Sequence, residues 1–329
     1  MAETKIEWAH FTHNPWIGCT KLSPACDFCY AETQNNHRKW AVGWGPHAPR
    51  KRTKTRSLLR VWDNVAADQG IRKRVFVASL ADVGDNHRSI EPEWRRQLVD
   101  DIRECRNLDF LLLTKRPQNM PKLYPDMMEE WPSNAWMGTT VENQVEANRR
   151  IPDLIKIPAP VRFLSCEPLL EELDLGYPEE LFPDGPARCC SGFECGCMGQ
   201  PIDYPLIYGI DWIIAGGESG RNARPTHPGW FRSLRDQCSS ANVPFFFKQW
   251  GEWAPWHHSS LSEGMELSAE NTNRRVNISL SGSVGGNPHI PGDYTMYRFG
   301  KARSGRSLDG VVHDGYPVPK LDRSKWVAA

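Results

Sequence analysis

Seven short runs of β-branched and aromatic residues recur along the chain, each ending on polar or unusual residues before a more helical stretch begins. They occupy residues 11–18, 74–79, 110–114, 135–140, 161–165, 212–215 and 244–247. Runs apolar on both faces need cover on both faces, and helical crossovers between parallel strands supply it. The segment 91–106 shows such a crossover, with Trp94, Leu98, Ile102 and Cys105 at helical spacings of three and four. So many units in series predict an α/β fold, a partial (β/α) TIM-type barrel with about six or seven parallel strands. An open sheet is the alternative, because periodicity does not report closure.

Two stretches break this rhythm. Residues 173–210 carry Pro, Gly and clustered cysteines and read as a Cys-rich insertion. Residues 257–291 are rich in Ser, Gly and Asn, residues 299–310 are glycine-punctuated and basic, and 257–329 read as an irregular C-terminal extension packed on a barrel of residues 1–256. At 329 residues and 40% apolar, the chain can bury a core of this size. Its 40 Lys and Arg balance 40 Asp and Glu, so any attraction to nucleic acid must be local. The first residues lack the apolar core of a signal peptide, and no apolar run approaches the roughly 20 residues that cross a bilayer. The expectation is a cytoplasmic protein without a membrane partner, whose cysteines stay reduced.

Three of those cysteines, Cys19, Cys26 and Cys29, are spaced C-x6-C-x2-C on a Pro-containing loop after the first run. Three thiols leave one position open on a centre that usually takes four ligands, and an open position suggests chemistry. An iron–sulfur cluster, a structural zinc ion completed by an outside ligand such as His13, and unligated thiols are the readings.

Other candidates sit at the ends of the later runs, where barrel enzymes assemble their sites. Lys115 and Arg116 suit a carboxylate or phosphate, or else form a solvated turn before Pro117. Gly216, Gly217 and Glu218 offer flexible backbone beside a carboxylate that a ligand ammonium or ribose could use; a plain turn is the alternative. Asp82, Thr140, Glu142 and Glu167 are further lining candidates, and Cys166 is a buried thiol or a reactive one. A second group, Cys189, Cys190, Cys195 and Cys197, reads as a zinc site, a second iron–sulfur site or oxidation-prone thiols. The densest basic segment holds Arg50, Lys51, Arg52, Lys54 and Arg56 and is flanked by Trp40, Trp44 and Trp62. Basic residues interleaved with aromatics suit a nucleic acid or nucleotide, although charge runs are commonly just solvated faces. Lys248 and Trp250, after the last run, are candidates for the same substrate.

Several blocks in one order carry a resemblance: 14–21 with the three cysteines, 113–117, 165–169, 216–220, 247–251, and Gly305 to Gly310. The chain resembles the phage-associated three-cysteine-motif family of uncharacterised proteins, itself similar to radical S-adenosylmethionine enzymes of the spore-photoproduct-lyase-like branch. The resemblance implies a 4Fe–4S cluster on Cys19, Cys26 and Cys29 whose open iron binds S-adenosylmethionine. It implies that Phe28 lies against the adenine, and Lys115 and Arg116 would by their charge suit the carboxylate of the methionine moiety or a phosphate. It also casts Cys166 as a hydrogen donor, as a cysteine is in photoproduct lyases. The gap of six between the first two cysteines departs from the commonest pattern, which has three.

The expected function is a radical S-adenosylmethionine enzyme that generates a 5′-deoxyadenosyl radical and modifies or repairs a nucleic acid or nucleotide. It would need an electron donor and, as the resemblance suggests, a separately encoded partner protein. The rivals are a zinc-stabilised, non-catalytic nucleic-acid-binding protein and a hydrolase using the strand-end carboxylates.

Overall fold

All seven runs form strands in the computed structural model, which describes residues 4–176, 205–256, 275–285 and 290–318. They are β1 (Phe11–His13), β2 (Lys73–Val77), β3 (Leu108–Thr114), β4 (Ala135–Thr140), β5 (Arg162–Cys166), β6 (Trp212–Gly216) and β7 (Phe245–Gln249). They make one seven-stranded sheet in which every strand neighbours the next in sequence. The resolved ladders are parallel, with Phe11 opposite Val75, Val75 opposite Phe110 and Phe110 opposite Ala135. A monotonic order is that of a singly wound, partial β/α barrel; a doubly wound sheet reverses its order part-way. β4 and β5 are buried along their whole length, as strands covered on both faces must be.

The crossover helices are α1 (Tyr30–Arg38), α2 (Ser57–Asp68), α3 (Pro92–Glu104), α4 (Gln144–Ile155) and α5 (Pro228–Ser240). Helix α3 starts on a proline, whose missing N–H costs nothing in a first turn, and buries Leu98, Val99 and Ile102. The sequence reads as a polar helix from Tyr30 to Val42, but α1 stops at Arg38. Lys39 adopts a left-handed conformation (φ 54°), and the buried Asn35 amide holds both the N–H and the C=O of Ala41.

The chain divides into two compact units, Met1–Thr140 with Asp153–Phe163, and Val141–Pro152 with Leu164–Pro317. In the first unit, Trp8 packs on Phe76 and Phe163, and Phe11 stacks on Trp62 at 4.6, 6.4 and 4.5 Å between ring centroids. In the second, Phe231 of α5 meets Phe247 and Trp250 edge to face.

The extension is more regular than expected. Strand β8 (Trp253–Pro255) pairs antiparallel with β10 (Tyr294–Arg298), which pairs with β9 (Arg275–Ile278). This small sheet straddles the expected boundary, because β8 precedes residue 257. Further on, the chain returns to the outer edge of β7: Phe247 donates to His313, Gly315 donates to Phe245, and Asp314 bridges Phe246 antiparallel. An exposed edge strand is thereby paired. The Cys-rich insertion, including Cys189, Cys190, Cys195 and Cys197, lies outside the described residues. Among the described residues, no helix is long and apolar enough to cross a membrane.

Candidate functional site

The cysteine loop begins where β1 ends. Ala78, just past β2, takes a positive φ of 68° that non-glycine residues rarely adopt, and its N–H donates to the His13 carbonyl. The turn that follows grips the loop at several points: Leu80 donates to the Asn14 side chain, Gly18 donates to the Leu80 carbonyl, and Tyr30 Oη donates to the Ser79 carbonyl at 2.6 Å. Gly18 itself has φ 116°, and a Cβ there would stand 2.9 Å from Arg50 Cδ. Glycine at the loop entrance therefore answers both a backbone conformation and a close approach.

Two buried ion pairs frame the first cysteine. Arg50 Nε lies 2.7 Å from Asp85 Oδ2, while its other nitrogens donate to Thr20 Oγ1, Gly45 O and Ala48 O. Arg116 Nη1 lies 2.6 Å from Asp82 Oδ2 and 3.9 Å from Cys19 Sγ, and its Nη2 donates to Thr20 O. Asp82 also accepts from the Gly84 and Lys115 amides and the Thr114 hydroxyl, so its carboxylate is saturated. Burial, then Asp82 and Asp85, push the Cys19 thiol up to about 12, against the opposing pull of Arg116.

Cys26 ends a short 3₁₀ turn, Pro24–Cys26, and Cys29 sits at the start of α1. Burial raises the Cys29 pKa, opposed by the amides of Glu32 and Ala31 and by the Lys115 ammonium; Cys26 adds to the rise. Lys115 Nζ donates to Thr140 Oγ1 at 3.3 Å. Phe28 is exposed beside Cys29. Thus Cys19, Cys26, Cys29, Phe28, Lys115, Arg116, Thr140 and Asp82 all belong to the first unit.

All three thiols are free. Among the described residues, no three His, Cys, Asp or Glu side chains gather as the ligands of a metal ion do. The single-zinc reading with His13 as fourth ligand therefore finds no preformed site there. Cys19, Cys26 and Cys29 likewise do not gather as the ligands of one ion, and a cubane would place its thiolates on separate irons rather than on one point.

Several expected binding residues are committed elsewhere. Arg50 is fully buried in its pair with Asp85, and Arg56 holds Asp101 at 2.7 Å. Lys51 and Arg52 form a strand against Trp16–Ile17, and Arg52 also reaches Gln97 and lies over Trp94. Lys51 and Lys54 are exposed. The basic segment is thus largely a clamp on the chain that leads into the cysteine loop, not a free basic arm, because its arginines find carboxylates and amides within their own unit.

In the second unit, Cys166 is completely buried, and burial followed by Cys238, Glu167 and Glu142 pushes its thiol far above the usual range. Its neighbour Cys238 lies on α5, so Cys166 packs toward the helix layer, as the buried-thiol alternative has it. Glu142 pairs with Arg150 at 2.8 Å. Glu218 accepts three hydrogen bonds from Arg224, so it has little capacity left for a ligand. Trp250 is buried, donates to Ser307 O and packs in the aromatic core; it is not a substrate-facing ring. A Cβ on Gly217 would lie 1.8 Å from Trp250 O, so this glycine serves backbone packing and not ligand approach. Gly216 faces the Glu167 carboxylate, which Lys248 Nζ approaches to 3.1 Å.

Sequence reasoning missed the supporting frame: Gly18, Thr20, Ala78 and Asp85. The glycine before Cys19 was a visible signal, whereas Asp85 carried none, because nothing local marks which arginine will bury against it.

No curated protein and no solved structure matches the chain. A family model described as "protein of unknown function (DUF5131)" matches residues 3–317. With nearly its whole length matched, the chain belongs to the DUF5131 family.

Proposed function

We propose that the chain is a radical S-adenosylmethionine enzyme acting on a nucleic acid or nucleotide, with Cys19, Cys26 and Cys29 as the ligands of a 4Fe–4S cluster. The observation that carries this reading is the cysteine loop: three free thiols leave the first strand of a partial β/α barrel order, on a loop held by two buried arginine–aspartate pairs. When bound, such a cluster would supply the electron that cleaves the sulfonium cofactor and starts hydrogen abstraction.

The chain's own residues have separate tasks in this reading. Arg116 and Lys115 offset the negative charge of thiolates at Cys19 and Cys29. Arg50 and Asp85 fix the loop so that little ordering is left for ligand binding. Phe28, exposed next to Cys29, offers a flat apolar face to a base. An electron donor is required, and a separately encoded partner is part of the proposal. The hydrolase alternative has less support, because Asp82, Glu142 and Glu218 each commit their carboxylates to an arginine.

Anaerobic reconstitution with iron and sulfide tests the reading. About four irons and four sulfides per chain are expected, falling sharply in Cys26→Ala. A chain that takes up zinc instead, or whose iron is indifferent to Cys26→Ala, would remove it.

A further inference from the structure

We infer that Glu167 and Lys248 form a recognition pair for the hydrogen-bonding edge of a nucleobase, an inference that rests on the nucleotide reading of the substrate. Strands β6 and β7 run in register from Ile213 opposite Phe245 to Ala215 opposite Phe247, and then Gly216 stands opposite Gln249. Lys248 is the extra residue of a β-bulge, a device that re-aims a side chain and recurs beside active sites. Its ammonium comes to 3.1 Å from Glu167 Oε1, and the two side chains are only 16% and 13% exposed. Gly216 makes room for this, because a Cβ there would lie 2.7 Å from the same oxygen.

The pair differs from the other buried carboxylates. Glu218 and Asp82 are saturated by several donors each. Glu167 Oε1 is buried yet has no partner in hydrogen-bond geometry, even with the ammonium at ion-pair distance. A lysine has three donors and a carboxylate about four acceptor sites, so most of this capacity is uncommitted. Buried polar capacity without partners is costly, and the carboxyl ends of barrel strands are where ligands use it.

Fixed geometry then selects the ligand. A phosphate or carboxylate would meet Lys248 but be repelled by Glu167, and a lone ammonium would meet the reverse. A nucleobase edge sets an acceptor, a ring nitrogen or carbonyl, directly beside an N–H donor, and so satisfies both groups without a net charge. The zwitterionic end of an amino acid also carries both signs, so the experiment separates it.

Isothermal titration of the full-length chain, as purified, would use the four 2′-deoxynucleoside 5′-monophosphates, deoxyribose 5-phosphate as a base-free control, and methionine. At least one nucleotide should bind while the control does not, and Lys248→Met and Glu167→Ala should each weaken that binding about tenfold or more. Gly216→Ala keeps both charged groups but displaces the carboxylate, and should weaken binding in the same direction; it provides the measurement if either other variant fails to fold. Affinity unchanged in the folded variants, equal binding of deoxyribose 5-phosphate, no nucleotide bound at all, or methionine as the ligand that the variants lose would overturn the inference. Iron and sulfide content, measured separately, reports on the cysteine loop alone, so the failure of one reading is distinguishable from the failure of the other.

Discussion

Arg116 stands between Asp82 and Cys19, with one nitrogen 2.6 Å from the carboxylate and 3.9 Å from the thiol. Desolvation opposes its charge, but Asp82 and Cys19 more than offset that, and its pKa rises. The same side chain reaches the Thr20 carbonyl, so one arginine joins the end of β3, the turn after β2 and the cysteine loop.

Removing it should therefore cost more than a surface ion pair would. In Arg116→Met the Asp82 charge stays buried without its counterion, which typically costs about 3 kcal/mol or more. Arg116→Lys restores the charge but not the fork that reaches both Asp82 and Thr20, so it should recover only part of the loss. Urea unfolding at neutral pH measures both. An Arg116→Met midpoint equal to wild type would show that the pair does not hold the loop.

Two adjacent glycines should respond unequally to a single methyl group. At Gly217 the added Cβ would strike the Trp250 carbonyl, a backbone atom with nowhere to go, and Gly217→Ala should lose about 3 kcal/mol or more. At Gly216 the obstacle is the flexible end of Glu167, so Gly216→Ala should stay within about 1 kcal/mol of wild type. Paired thermal melts decide it; equal losses would mean that the strand ends relax freely.

The strands were legible because each is a short β-branched or aromatic run ended by polar residues, and that pattern survives without tertiary knowledge. Phe110 to Thr114 and Ala135 to Thr140 are examples. Helix α1 is shorter than the polar stretch to Val42 because Asn35, which pulls Ala41 into the turn, acts through a side-chain amide that the polar character of the stretch does not reveal. Site residues were legible as types but not as roles. Glu218, Trp250 and Arg50 have the chemistry of binding groups, yet Arg224, the aromatic core and Asp85 claim them, and those partners are 6 to 35 residues or more away in sequence. Lys248 and Glu167 were candidates separately; only the bulge shows them as a pair.

Stability should fall on mild acidification in a defined window. His13 is buried, its Nδ1 has no hydrogen-bond partner, and burial followed by Arg56 lowers its pKa from 6.5 to about 4. The neutral ring is favoured in the folded chain, so its contribution is complete above pH 6.5 and is lost as pH falls from there through about 4. The shift corresponds to about 3 kcal/mol. His227 and His313 are also lowered by burial and act in the same direction. Unfolding free energy measured from pH 7.5 to 4 should therefore slope downward, and His13→Gln should flatten but not abolish that slope. An unchanged slope would mean that His13 is solvated or already charged.

The segment returning along β7 should protect the sheet from self-association. Besides the backbone bonds of His313 and Gly315 to β7, Trp212 Nε1 donates to Gly315 O at 2.7 Å, and Tyr316 packs on Trp212 and Phe246 at 5.3 and 5.4 Å between centroids. Deleting residues 311–329 would expose the N–H and C=O row of Phe245–Gln249 together with two aromatic faces, a surface that recruits another strand. The truncated chain should unfold about 5 °C lower or more and scatter light at concentrations where the full chain does not. Tyr316→Ala separates the two contributions, because it removes ring packing and leaves the edge paired: it should lower the melting temperature without provoking association. If it aggregates like the truncation, ring burial and not strand pairing is what guards this edge.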